Sequence, residues 1–293
     1  MTYKIVAMCP AGAVTGGPEA IHQLVDMANK IHDGSAAICY LPNDGYAVIP
    51  EPYRKYNTPV ILREDIEENS VVVVPELWPY MVNDFKNRCA LWWLSVDNFV
   101  CGDTSIPDKY SYHLTQSAYA YHHVSEVLNK SPIMITDYIH NDMMQKKSLE
   151  KIKRVAVNPA KGSDLIEEFC SNNSDIDVFR IQGMSKDKIC EELEKSMLFI
   201  DFGHHPGKDR MPREAAAMGC VVMAKKIGAA QFNDDVQISE IYKFNQVSEI
   251  GELVNSILCN YNFHFNQQNE YQISIANQEI SFQHEVSKFL EII

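Results

Sequence analysis

Short apolar runs of strand length alternate with amphipathic segments of helix length along most of the chain, and no other feature constrains the fold as strongly. A buried strand, a helix and a further buried strand in succession pack as a parallel sheet with helices on its faces. In the first half this spacing predicts strands over residues 3–9, 36–41, 70–75 and 90–96, and shorter ones over 113–117 and 133–136. A Gly-rich turn at 11–17 leads into residues 18–31, where Ile21, Leu24, Val25, Met27, Ala28 and Ile31 fall near helical spacing and Pro18 suits the first turn. Residues 42–68, rich in Pro, Tyr and charge, are expected to be loop.

The second half repeats the pattern, with strands expected at 154–157, 177–181, 197–202 and 221–224 and helices at 163–170, 185–195 and 211–218, the first of them capped by Ser163. The polar segment 141–151 reads as a linker. The expected division is therefore a first domain over 1–140, a second over 151–275, and a final helix in 276–293 that returns to the first domain. The Asn- and Gln-rich stretch 260–269 reads as a surface loop before that helix.

Charge and hydropathy exclude several function classes. Lys and Arg sum to 26 against 39 for Asp and Glu, a net charge of −13 that repels a phosphate backbone and argues against a nucleic-acid partner. Apolar stretches such as 71–74 and 90–94 are strand-length, well short of the roughly 20 residues a spanning helix needs. The N-terminal segment has too short an apolar core for a secretory signal, so the chain is expected in the cytoplasm, with at most peripheral contact at the inner face of the membrane. Eight cysteines lie scattered without a C-x-x-C pair, the pattern of reduced thiols rather than of a zinc site or a disulfide framework.

The strongest local signal runs from Phe199 to Val222. A strand is followed by a loop with His204, His205, Lys208, Arg210 and Arg213, then by a helix of small residues that runs into Gly219 and another strand. Ligands of open α/β sheets bind beyond the carboxyl ends of strands, where this loop falls, and cations beside a helix N-terminus favour a phosphate. Glu214, early in the helix, can accept two hydrogen bonds from a ribose diol or simply complement the helix dipole. The two histidines can be ordinary loop residues, and Arg210 and Arg213 can pair with surface carboxylates. In the first half, Gly12, Gly16 and Gly17 lack the full G-x-G-x-x-G spacing and fit either a tight turn or a loop that an acceptor approaches. Glu19, His22 and Asp97 are the candidate bases near it, and capping is the competing duty for Asp97.

The run Pro212-Arg-Glu-Ala-Ala-Ala-Met-Gly-Cys-Val-Val222 resembles the donor-site helix of nucleotide-sugar glycosyltransferases of GT-B architecture, in particular the group 1 enzymes of bacterial surface-polysaccharide synthesis. Asn158-Pro-Ala-Lys-Gly162 resembles the loop whose Lys reaches the donor diphosphate, and Gly16-Gly17 the acceptor-side loop. The resemblance implies an α/β fold of two Rossmann-like domains facing a cleft. It places Lys161 and Glu214 at the nucleotide-sugar and Gly16 and Gly17 at the acceptor; the position of the loop adds His204, His205, Arg210 and Arg213 at the nucleotide-sugar, and the base, if one is needed, lies among Glu19, His22 and Asp97. The resemblance also implies transfer of a sugar to a glycan, a lipid-linked acceptor or another hydroxyl. The chain departs from the family where retaining members carry a second Glu, since Pro206 stands there, so the stereochemistry is not carried over. No Asp-x-Asp metal motif follows a strand, and neither a cofactor nor a metal is expected, fixed positive charge neutralising the diphosphate instead. A nucleotide-sugar epimerase of the same architecture and a non-catalytic phosphosugar-binding protein are the alternatives.

Overall fold

The structure, a computed structural model, describes residues 3–42, 48–140 and 150–293. The chain divides into two compact units: Met1–Tyr138 with Pro206–Lys208 and Ile280–Ile293, and Ile139–His205 with Asp209–Glu279. Most of the segment read as a linker, 141–149, lies outside the described residues.

The first unit is built on β1 (Ile5–Pro10), α1 (Gly16–Ile31), β2 (Ala36–Leu41), β3 (Val71–Pro75), β4 (Cys89–Trp93), β5 (Tyr112–Thr115), α2 (Ala118–His122) and β6 (Pro132–Met134). These strands form a parallel sheet of order β2-β1-β3-β4-β5-β6. Every residue of β3 and β4 is buried, which is why they read as unbroken apolar runs. Residues 42–70 carry only short 3-10 turns at Glu51–Tyr53 and Arg63–Asp65 among the described residues, besides a bridge of Val60 to Ile38. Gly16 and Gly17, expected in the loop, instead open α1; Thr15 precedes them in extended conformation.

The second unit holds β7 (Ile152–Val157), α3 (Ser163–Asn172), β8 (Asp177–Arg180), α4 (Lys186–Lys195), β9 (Ser196–Asp201), α5 (Arg210–Ala217), β10 (Val221–Lys225), β11 (Lys243–Phe244), α6 (Gly251–Cys259), α7 (Tyr261–Gln267) and α8 (Asn269–Ala276). Its parallel sheet runs β11-β10-β9-β7-β8. Two local expectations change. Ser163 is the first helical residue of α3, and Gly162 precedes it at φ +73°, so no side chain caps the helix. The Asn- and Gln-rich stretch is α7 and the start of α8 rather than loop. Gln268 between them is buried, and its amide bonds both the N–H and the carbonyl of Val222, at 2.9 and 2.8 Å.

The last helix, α9 (Gln278–Ile292), buries Phe282, Val286, Phe289 and Leu290 in the apolar core shared with β1, β3 and β4 of the first unit. All eight cysteines are free thiols, and among the described residues no helix is long and apolar enough to cross a membrane.

In both sheets the strand order reverses once. Chain succession goes outward from β1 to β2 and resumes on the other side at β3, and the same happens at β7, β8 and β9. Loops on either side of such a reversal separate at the carboxyl ends of the strands and leave a crevice there, where ligands of open α/β sheets bind.

Candidate functional site

In the second unit the reversal lies between β7 and β9, and the loops that follow these strands carry the strongest concentration of charge. After β7, the Asn158 side chain accepts from the Ala160 N–H at 3.1 Å and its carbonyl from the Lys161 N–H at 3.3 Å, forming a tight turn that presents Lys161. The turn ends at Gly162, where a positive φ and the Phe202 carbonyl, which would stand 2.7 Å from a Cβ, admit only glycine. β9 ends on Asp201, whose Oδ1 accepts the Gly203 N–H at 2.9 Å.

Asp201, His205, Asp209 and Lys161 form one chain of alternating charge. His205 is fully buried, its Nε2 3.4 Å from Asp201 Oδ2 and its Nδ1 3.8 Å from Asp209 Oδ2. Among the described residues neither ring nitrogen finds a hydrogen bond of ordinary geometry; each faces a carboxylate. Asp209 is in turn ion-paired with Lys161. Burial disfavours the imidazolium, but the Asp201 and Asp209 carboxylates outweigh it and raise the His205 pKa above the ordinary value. Burial likewise pushes the Asp201 carboxyl up, and His205, the Gly203 N–H and Lys161 overcome it, so the net shift is downward. The His205 backbone is held from a third loop: its carbonyl accepts the Ala229 N–H at 2.8 Å, after β10.

The other residues expected at a nucleotide separate into two kinds. Arg210, the first residue of α5, lies 3.5 Å through Nε from Glu214 Oε1, both side chains being partly accessible. Glu214 stands one residue further into the helix than expected, just past its first turn, because α5 begins at Arg210 rather than Met211. Arg213 is 1% exposed and donates to the Asp209 carbonyl at 3.1 Å and to Gln278 Oε1 at 3.0 Å, contacts that brace the loop from behind. His204 is half-buried beside this network.

Asp201 and Asp209 were not among the residues singled out from sequence. A carboxylate at a strand end resembles an ordinary turn former, and the signal available was the i, i+4 spacing of Asp201, His205 and Asp209. Among the described residues these three also form a group whose ligand atoms lie within 4.8 Å of one another, as a metal site requires. The fit is poor: the carboxylates face opposite nitrogens of a single imidazole, and Lys161 already pairs with Asp209.

In the first unit the three candidate bases differ in accessibility. Glu19 is buried and accepts from the Tyr56 hydroxyl at 3.1 Å. His22 is fully buried, with Nδ1 2.6 Å from the Pro18 carbonyl and Nε2 2.7 Å from the Tyr40 hydroxyl, and burial lowers its pKa. Asp97 is exposed, in a 3-10 turn (Val96–Asn98) after β4.

No family model matches the chain, and no curated protein matches it in sequence. Solved structures do match in fold. Sucrose-phosphate synthase from Thermosynechococcus elongatus superimposes with a TM-score of 0.66 at 11% identity, over 99% of this chain and 100% of that one. The catalytic domain of starch synthase IV from Arabidopsis thaliana, bound to ADP and acarbose, gives 0.65 at 9% identity over 99% and 100%. T4 phage BGT in complex with UDP and Mn2+ gives 0.54 at 10% identity over 96% and 99%. With two parallel α/β sheets and these whole-chain likenesses, the chain has the GT-B fold of nucleotide-sugar glycosyltransferases.

Proposed function

We propose that the chain is a glycosyltransferase that moves a sugar from a nucleotide-sugar to a hydroxyl of a glycan or lipid-linked acceptor. The observation that carries this reading is the placement of Lys161 and the α5 N-terminus, with Arg210, at the strand-order reversal of the second sheet. Two of the fold neighbours are described with a nucleoside diphosphate bound, which supports the same ligand class here. In this reading Lys161 and Arg210 meet the diphosphate, His204 and His205 lie beside it, and Glu214 accepts the ribose hydroxyls.

The acceptor oxygen bonds to the anomeric carbon as the bond from that carbon to the diphosphate oxygen breaks. The nucleoside diphosphate leaves with the electron pair, stabilised by fixed positive charge. Asp97, the exposed member of the three candidates, takes the hydroxyl proton. Thermal-shift titration with UDP, GDP, dTDP, CDP and CMP tests the donor side, since a ligand at 100 times its Kd adds about 2.7 kcal/mol to stability. One nucleoside diphosphate should stabilise the fold, and the matching nucleotide-sugar should release it only with an acceptor present. Stabilisation by none of them counts against the reading, and sugar interconversion without acceptor replaces transfer by isomerisation.

Two further results are expected. Glu214→Gln keeps the side-chain volume but loses the charge, so it should weaken ribonucleotide binding and abolish discrimination against the 2′,3′-dideoxy analogue. A role limited to the helix dipole predicts unchanged affinity and a stability loss of about 0.3–1 kcal/mol, so measuring both on one preparation separates the two. Transfer should also persist in excess EDTA, because Lys161 and the His205 imidazolium already offset the carboxylates that a divalent ion would need. Loss of activity in EDTA, restored by Mg2+ or Mn2+, would overturn metal independence.

A further inference from the structure

The first sheet has its own reversal between β1 and β3, and the residue that leaves β3 there is Glu76. It is 2% exposed, which is unusual for a carboxylate to which, among the described residues, no arginine or lysine is bonded. Its surroundings are hydrogen-bond donors instead. Glu76 Oε2 accepts the Leu94 N–H at 3.1 Å, and the Ser95 N–H and the Asn98 side chain also bond the carboxylate. The Glu76 N–H donates to the Trp92 carbonyl at 3.1 Å. All of these partners lie at the end of β4 or in the turn after it, the turn that carries Asp97.

We propose that Glu76 is a positioning residue for the acceptor side, its carboxylate tying the end of β3 to the turn at 94–98 and so fixing where Asp97 stands. The inference rests on the reading of Asp97 as the base. Other contacts hold the turn as well, the Phe99 ring lying 4.6 Å from that of Trp93. Within it, Asn98 N–H bonds the Ser95 carbonyl at 3.1 Å and Phe99 N–H the Val96 carbonyl at 3.2 Å. From outside, Val96 N–H donates to the Pro206 carbonyl at 2.8 Å, and Gly207 packs so closely that a Cβ there would lie 2.0 Å from the Leu94 carbonyl. Pro206–Lys208 thus rests on the turn that Glu76 organises.

The state of the carboxyl matters because an ionised group only accepts, whereas a protonated one gives up an acceptor site to its own proton. Burial pushes the Glu76 carboxyl up to about 7, against the donors that pull it down. Among the described residues, the ionisable groups on the elements beside the turn include Asp97 itself, Tyr119, Tyr121 and His122 on α2, His123, and Lys208; the charge of Asp97 acts on Tyr119 and His123, and Lys208 acts on Glu285. Near neutrality the turn therefore has two hydrogen-bonding arrangements, and the ionised one binds all its donors.

Hydrogen exchange of the amides of residues 94–98 reads this without reference to activity. In the wild type, after correction for intrinsic rates, protection of Leu94 and Ser95 should rise by about tenfold or more between pH 6 and pH 8, as expected for hydrogen bonds that become charge-assisted. In Glu76→Gln it should be flat and low over the same range, and the wild type below pH 6 should converge on it. In transfer assays Glu76→Gln should lower kcat or raise the acceptor KM while nucleotide affinity stays unchanged. Equal protection at both pH values in the wild type overturns the proposal, and this holds even if the variant fails to fold. Normal kcat and KM in a folded Glu76→Gln variant overturn it as well. Failure of the base assignment is read separately, as full transfer activity in Asp97→Asn.

Discussion

Asp201→Ala should lower the stability of the second unit by about 3–5 kcal/mol near pH 6, the range seen when one partner of a buried ion pair is removed. The variant leaves His205, which is fully buried, without the carboxylate at its Nε2, and strips the Gly203 N–H of its acceptor. The penalty should depend on pH. The raised pKa of His205 contributes stability that is complete below the ordinary histidine value of 6.5 and is lost as pH rises through the folded value. The lowered pKa of Asp201 contributes stability that is present above the ordinary carboxylate value of 3.8 and is lost as pH falls through the folded value. The wild type should therefore be most stable between these two limits. The Asp201→Ala penalty should shrink at high pH, where His205 is neutral in both proteins. Urea unfolding of wild type and variant from pH 4 to 9 measures this. A loss under about 1 kcal/mol, or one that does not vary with pH, would show that the Asp201–His205 pair carries no charge in the folded protein.

The second large effect is on the ligand. Arg210→Ala should weaken binding of the nucleoside diphosphate by about 1.5–3 kcal/mol, roughly 10- to 150-fold in Kd, the worth of a charge-assisted hydrogen bond from a guanidinium. Arg210→Lys should recover only part of it, because an ammonium cannot make the bidentate contact. Arg213 is the internal comparison. Its guanidinium is buried against the Asp209 carbonyl and Gln278, so Arg213→Ala should act on stability first. Calorimetric titration of folded Arg210→Ala settles the assignment: unchanged affinity takes Arg210 out of the phosphate site.

These two expectations differ in how far they could be read from sequence. Arg210, Glu214 and Lys161 stand in motifs, at a helix start and in the turn after a strand, so their placement at the carboxyl ends of β7 and β9 follows from local order alone. The charge chain does not. Asp201 and Asp209 flank His205 at four-residue spacing across the loop from the end of β9 to the start of α5, where that spacing has no fixed geometry. The loop must fold back beside Lys161 and the residues after β10 before the imidazole lies between two carboxylates. Glu76 is similar: its sequence neighbours give only a strand end, and its donors come from a turn 18 residues further on.

Sequence by itself determined the two parallel sheets and their strands apart from the two-residue β11, because a strand buried on both faces must be apolar at consecutive positions, as Val71–Pro75 and Cys89–Trp93 are. It also determined α1, α3 and α4, whose apolar residues follow helical spacing. Tertiary structure alone decided the rest. The polar stretch at 260–269 is helical on either side of Gln268, whose amide pairs with the backbone of Val222, a partner 46 residues away that composition does not reveal. The burial of Glu19 and His22, which leaves Asp97 as the accessible carboxylate, depends on Tyr40 and Tyr56 arriving from other segments. Periodicity reports which face of an element is apolar, whereas the protonation, burial and partners of a polar side chain depend on atoms distant in the chain.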